Sequence, residues 1–248
     1  MVDALKRTLD RGESLKGVSL FKDLSPEAIR KIEAKCKWHH FAENEQIFSR
    51  GSPSAEVYFI VRGTVRVVIY SGPEQEIKLA NFLEGEYFGE MAAIDESPRS
   101  ADAFAQTDTL LASLDHKTFI DLLIKYPQLL QQINKRLVQI IRGLDVRVRD
   151  LTGLTPSQRV YMELLRLAGP AVKPDGTWGI HDMPNHKEIA TWAGTIPATV
   201  ARVIGHLARD GVVERHHKTL YINDYFRLRQ LAQSVEESGA TGSRAADA

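Results

Sequence analysis

Between Gly85 and Ala101 the chain collects residue types suited to holding an anionic, hydroxyl-bearing small molecule: Gly85-Glu-Tyr-Phe88-Gly89-Glu90-Met91-Ala92-Ala93-Ile94 and, after a short acidic loop, Pro98-Arg99-Ser100-Ala101. A glycine lets the backbone approach a ligand closely, and a helical turn after it makes an anion-binding concavity, so Gly89 and the amides near Met91 and Ala92 are placed to face a phosphate. Arg99 adds a planar cation able to hold two phosphate oxygens, and Ser100 a hydroxyl that donates and accepts. Glu90 would repel a phosphate, so its expected task is to accept a hydrogen bond from a sugar hydroxyl. The implied ligand carries a singly charged phosphodiester beside a hydroxyl. Taken alone, Gly-Glu and Arg-Ser describe a surface turn with an ion pair equally well; the complete string is what is specific.

Such a cradle needs a scaffold. From Phe41 to Leu114 short β-rich runs, among them Val57-Tyr-Phe-Ile-Val61 and Thr64-Val-Arg-Val-Val-Ile-Tyr70, alternate with turns at Gly51-Ser-Pro, Arg62-Gly63, Ser71-Gly-Pro and Glu84-Gly85, which predicts an antiparallel roll or barrel. Short helices are expected before it, with Ser25 as an N-cap and Pro26 in the first turn. After Asp115 the period becomes helical, and Leu130, Ile133, Leu137, Ile140, Leu144, Val148 and Leu151 follow at steps of three or four. That pattern fits a helix packed on its own domain or a dimer seam through residues 130–151. Gly153-Leu-Thr155-Pro156 then ends one helix and caps another, opening a second domain.

A second kind of chemistry lies in that domain. His186-Lys-Glu-Ile189-Ala190-Thr-Trp192-Ala-Gly194 followed by Thr195-Ile-Pro197-Ala198-Thr199-Val200-Ala-Arg202-Val203-Ile204-Gly-His206-Leu207 has the layout helix, glycine turn, helix. Ile189, Ala190, Val200, Ile204 and Leu207 are expected to pack the two helices, and Pro197 sits where its missing amide costs little. Two packed helices alone are a common structural unit. The hairpin pattern from Val212 to Ile222, with Arg215, His216, His217 and Lys218, turns the reading toward DNA. From His186 to Leu231 seven Lys/Arg face four Asp/Glu, a mild basic excess. Residues placed to touch DNA are His186, Lys187, Thr195, Pro197, Ala198, Thr199, Arg202, His206, His217 and Lys218.

Over its 248 residues the chain balances 32 Lys/Arg against 32 Asp/Glu, so any nucleic-acid contact must rest on a local basic face. Its single cysteine, Cys36, excludes an intrachain disulfide or a four-thiolate cluster and suits a reducing compartment. No apolar run approaches the ~18 to 20 residues that span a bilayer, and the first residues lack the apolar core of a signal peptide, so a cytoplasmic protein without membrane contact is expected. No Ser-His-Asp or Cys-His arrangement stands out, which argues against an enzyme, and Asp102 beside Ser100 reads as a surface residue.

The complete string from Gly85 to Ala101 resembles the phosphate-binding cassette of the cyclic-nucleotide-binding domain. From about Leu20 to Tyr225, including the glycines Gly51, Gly63 and Gly85, the chain is similar to the catabolite activator (cyclic AMP receptor protein) and FNR family. The resemblance implies an α+β fold: an antiparallel β-roll with N-terminal helices over 1–126, a dimerisation helix over 127–152, a winged helix-turn-helix over 153–233 and a disordered tail over 234–248. It assigns the ribose 2′-hydroxyl to Glu90 and the cyclic phosphate to Arg99. Gly89, Met91, Ala92, Ser100 and Ala101 complete the cradle, and Val67, Leu79 and Phe82 form an apolar wall.

The family's adenine-binding threonine and serine fall at Leu144 and Asp145 here. Leu144 has no hydrogen bond to give, whereas Asp145 can accept from an amino group of adenine or guanine, so cyclic AMP and cyclic GMP both stand as allosteric ligands, with no further cofactor. Where the family's recognition helix begins Ser-Arg-Glu-Thr-Val, this chain has Ile196-Pro197-Ala198-Thr199-Val200. Arg202 keeps a guanine-reading position, but the operator should differ. The resemblance also implies a homodimer on palindromic double-stranded DNA with half-sites about 34 to 36 Å apart, and RNA polymerase as a partner. A regulator of the same fold could instead sense haem, through His39-His40, or a cyclic dinucleotide, or act without ligand.

Overall fold

Ser25 accepts a hydrogen bond from the Ala28 amide and Pro26 follows it, which starts α1 (Pro26–Glu33) and turns Ala28, Ile29 and Ile32 into the core. The computed structural model describes residues 14–70, 76–169, 178–181 and 183–233, and of Lys78 the backbone alone. The tail expected beyond residue 234 lies outside them. The chain divides at 142/143 into two units, each described by itself below.

In the first unit α1 leads into β1 (Lys37–Phe41), β2 (Gln46–Phe48), β3 (Val57–Arg62), β4 (Val65–Tyr70), β5 (Glu76–Phe82), β6 (Tyr87–Phe88), α2 (Glu90–Asp95), β7 (Asp102–Ala105), β8 (Thr109–Leu114) and α3 (His116–Lys125). The strands form two antiparallel four-stranded sheets, β1-β8-β3-β6 and β2-β7-β4-β5. Strand β3 shows why they pack as a roll. Its alternation sends Tyr58 and Ile60 into a core with Val65, Phe88, Ala103 and Leu111, and Val57 and Phe59 into a second core with Phe21, Ile32 and Phe119. Asp102 departs from the surface position expected for it: it is buried at the start of β7, accepting from the Arg50 amide and Gln46 Nε2 at 3.1 Å each.

Helix α4 (Pro127–Gly153) runs unbroken through the predicted seam, but that seam serves two purposes. Leu129 and Ile133 are 1% exposed in the core beneath the first sheet, and Leu137 packs against the same core. Ile133 therefore leaves the expected dimer seam. Leu130, Ile141, Leu144, Val148 and Leu151 remain exposed along the helix.

In the second unit, Thr155 and Gln158 cap α5 (Pro156–Ala168) reciprocally, as Asn185 and Glu188 cap α6 (His186–Trp192). The turn at Gly194 leads to α7 (Pro197–Arg209), then β10 (Val213–His216), β11 (Thr219–Ile222) and α8 (Tyr225–Gln233). The expected hairpin gains a third strand, β9 (Trp178–Ile180), paired with β11. Val160, Leu164, Ile189, Val200, Leu207, Leu220 and Leu228 share one core, with Ile204 partly buried against it. Arg159 donates to the carbonyls of Ala193 and Gly194 at 2.7 and 2.8 Å, fixing the turn between α6 and α7 to the start of α5. Among the described residues no helix is long and apolar enough to cross a membrane.

Candidate ligand cavity and DNA-reading surface

Strand β6 hands over to α2 at Gly89, whose φ of 81° lies in the left-handed region. A Cβ there would stand 2.7 Å from Arg99 Nη1 and 3.0 Å from the Glu56 carbonyl oxygen. Both backbone and space therefore require glycine. Gly89→Ala is expected to lower the stability of the ligand-free protein by about 1 to 3 kcal/mol and to weaken ligand binding, because Arg99 must move. Thermal melts with and without ligand measure both effects.

Arg99 is 3% exposed. Its backbone is held by the Gly51–Ser52 turn: the Gly51 amide donates to the Arg99 carbonyl at 2.8 Å and the Arg99 amide to the Ser52 carbonyl at 3.0 Å. The guanidinium donates from Nε to Ser54 Oγ at 3.0 Å, from Nη1 to the Gly89 carbonyl at 2.9 Å and from Nη2 to the Glu56 carbonyl at 2.7 Å, and lies 4.1 Å from the centre of the Phe48 ring. Three of its five N–H groups are thus committed to fixing its plane, which leaves one on each Nη for a ligand. Burial lowers its pKa, opposed by Tyr58, Glu56 and Glu90. Burial, with Glu56 beside it, pushes the Tyr58 phenol up to about 12.

Glu90 is 6% exposed, and among the described residues no side chain or backbone group donates a hydrogen bond to its carboxylate. It lines the same cavity as Arg99, which encloses about 580 Å³ of empty space with its open mouth included. The cavity brings together Val67, Phe82, Gly89, Glu90, Met91, Ala92, Arg99, Ser100 and Ala101 from the predicted set. Leu79 does not join them. Strand β5 carries a bulge there: Val67 pairs with Ala80 and Val68 with Lys78, so Leu79 is the extra residue, 53% exposed.

Leu144 and Asp145 are exposed on α4 and do not line the cavity. Instead α4 contributes Arg136 and Ile140. Arg136 donates to the Tyr87 carbonyl at 3.0 Å and lies 4.3 Å from the Tyr87 ring centre and 5.3 Å from that of Phe82. Sequence reasoning missed it, although it shares the roll-facing stripe with Ile133 and Ile140 and is the cation in that stripe. Phe48 was missed too. Nothing in a three-residue strand marks which of its side chains meets an arginine fifty residues on.

On the second unit, α7 buries Val200, Val203 and Leu207. The opposite side is exposed: Ala198, Arg202, Gly205, His206 and Arg209, preceded by Ile196 and Pro197. Lys187, His217 and Lys218 are exposed as well, whereas His186, Thr195 and Thr199 are half-buried. Arg202 Nη2 donates to Ser157 Oγ at 3.2 Å, an exposed contact that leaves most of its donors free for another acceptor. His217, at a φ of 52°, forms the tip of the hairpin with Lys218.

A model of the cyclic nucleotide-binding domain matches residues 38–126, and a model of the Crp-like helix-turn-helix domain matches residues 158–231. The cyclic AMP receptor protein of Thermus thermophilus is 30% identical over 218 residues, covering 88% of this chain and 98% of that protein. The chain belongs to the cyclic AMP receptor protein and FNR family of transcription regulators.

Solved structures of the family agree. The catabolite activator protein of Thermus thermophilus superimposes with a TM-score of 0.51 at 29% identity, covering 86% of this chain and 97% of that one. The c-di-GMP responsive global regulator CLP of Xanthomonas campestris shares the fold at a TM-score of 0.64 and 20% identity, over 80% of this chain and 99% of that one. This is a family of DNA-binding regulators rather than enzymes.

Proposed function

We propose that the chain is a homodimeric regulator of palindromic DNA whose affinity for its operator is set by a purine cyclic mononucleotide, cyclic AMP or cyclic GMP, bound in the cavity of the roll. The observation that carries this reading is the pairing, in one cavity, of a buried guanidinium with two uncommitted N–H groups and Glu90, whose carboxylate accepts no hydrogen bond among the described residues. A 2′-hydroxyl donating to Glu90 and a cyclic phosphate accepting from Arg99 would satisfy both at once, and the amides after Gly89 would add to the anion's cradle.

Exposed Leu130, Ile141, Leu144, Val148 and Leu151 on α4 suit a parallel pairing with a second copy, in which Leu144 and Asp145 would stand near the base. Ligand binding would then favour one arrangement of the paired helices and set the two recognition helices for adjacent major grooves, a population shift, and the complex on DNA would act on RNA polymerase. A haem reading loses support from His39 and His40. As neighbours on β1 they face opposite sides of the sheet, and His39 Nε2 already pairs with Ser113 Oγ at 2.8 Å.

Calorimetric titration of the full chain with cyclic AMP, cyclic GMP and cyclic di-GMP tests the proposal. The expected result is one site per chain for a mononucleotide, lost or strongly weakened in Glu90→Gln. Saturation by the dinucleotide with no response to either mononucleotide would overturn it.

A further inference from the structure

Five α-helices begin with a side chain that accepts a backbone N–H: Ser25, Asp115, Thr155, Asn185 and Asp224. The recognition helix α7 does not. Its N-cap is Ile196, which makes no side-chain cap hydrogen bond and is 62% exposed, although it is large, β-branched and apolar. Isoleucine is among the poorest N-cap residues, and leaving it in water forgoes the gain of burying it.

Its backbone, by contrast, is tightly specified. The residue before a proline is driven to extended geometry, and Ile196 has φ −109° and ψ 153°. Pro197 thus starts the helix and fixes the isoleucine ahead of it. The outward face of the helix carries a further residue without a purpose inside the protein. Gly205 lies in the helix interior, where glycine is disfavoured, yet a Cβ there would meet nothing within 4 Å. With Ala198 and Ala201 also exposed, the helix surface around Arg202 is small-sided, so that its backbone can come close to a partner.

We propose that Ile196 is a specificity-determining residue that reads the C5-methyl group of a thymine in the operator half-site. The N-terminal residues of a recognition helix meet base edges in the major groove, where the thymine methyl is the apolar feature available to an isoleucine. Arg202 reads guanine from the same helix, one polar and one apolar reader replacing a row of charged ones. The inference rests on the DNA-binding reading of the second unit.

The test uses the full chain with cyclic AMP and, separately, cyclic GMP. An operator is first selected from a random DNA pool. Each thymine of a half-site is then replaced by uracil, which removes the methyl group alone. Wild-type protein is expected to lose roughly fourfold in affinity at one or two positions, the size of one apolar carbon lost from a contact. Ile196→Ala and Ile196→Ser should bind the thymine and uracil operators equally, while Arg202→Ala keeps the discrimination at a lower overall affinity. Ile196→Ser also supplies the missing cap and should melt at a higher temperature than wild type, so its loss of discrimination cannot come from misfolding. Indifference of wild type to every uracil, or discrimination surviving in Ile196→Ser, would refute the role of Ile196 with DNA binding intact. Failure to select any operator would bring down the DNA-binding reading itself, and this inference with it.

Discussion

Arg99→Ala is expected to weaken cyclic-nucleotide binding by at least about a hundredfold, the loss of two charge-assisted hydrogen bonds at ~1.5 to 3 kcal/mol each. The same change should destabilise the ligand-free protein. It strips donors from the carbonyls of Gly89 and Glu56 and from Ser54, and removes the cation from the face of Phe48. Each buried acceptor left unsatisfied costs about 1 to 3 kcal/mol, so a melting point well below wild type is expected. Arg99→Lys separates the two effects. An ammonium keeps the charge in the cavity, but it is a point donor that cannot hold three protein acceptors and two phosphate oxygens in one plane. Its stability loss should be the smaller, and its binding loss should remain large. Titration calorimetry on protein shown folded by circular dichroism checks this. Undiminished binding by folded Arg99→Lys and Arg99→Ala would remove Arg99 from the site.

The site's legibility in the sequence followed the reach of each interaction. Gly89, Glu90, Arg99 and Ser100 were readable because a turn, a short helix and a returning strand bring them together within one stretch of chain. Caps at Ser25 and Thr155 were readable for the same reason: an N-cap is decided within four residues. Leu79 was misplaced because alternation along β5 holds only while the register is kept, and the bulge against Val67 and Val68 breaks it. Arg136 was invisible because its partners, Tyr87 and Phe82, are tertiary neighbours.

The periodicity of α4 was correctly seen yet was ambiguous. A step of three or four says which residues share a face, not what that face meets, and the helix turns Ile133 to its own roll while leaving Leu144 exposed. Strand β9 was missed as a three-residue element whose hydrogen bonds all go to β11. Helix α8 went unread although Asp224 caps it, accepting from the Arg227 amide at 2.9 Å; its place depends on Leu228 and Ala232 being buried.

The largest stability effect in the second unit is expected from Arg166. Its Nη2 meets the Asp150 carboxylate and its Nη1 donates to Glu163 Oε2 at 2.8 Å, while Arg147 stands 3.6 Å from Glu163 Oε1. The side chains of Asp150 and Glu163 are 6% and 3% exposed, so Arg166 neutralises two buried acids at once. Removing one member of a buried ionic group costs about 3 to 5 kcal/mol, whereas replacing the whole group by apolar residues of similar volume is often neutral or stabilising. Arg166→Ala should therefore lower the urea midpoint sharply, and adding Asp150→Leu and Glu163→Leu to Arg166→Met should restore much of the loss. A shift below about 1 kcal/mol for Arg166→Ala would show that water already screens the cluster. The functional consequence follows from position. Asp150 and Arg147 lie in the last turns of α4, Glu163 and Arg166 on α5, so the cluster ties the end of the long helix to the first helix of the DNA-reading unit. If ligand acts by rearranging paired α4 helices, the tie carries the rearrangement to α7. The triple apolar variant tests this apart from stability: a tie kept by packing preserves the gain in operator affinity on adding nucleotide, whereas a tie that depends on charge loses that gain while the protein stays folded.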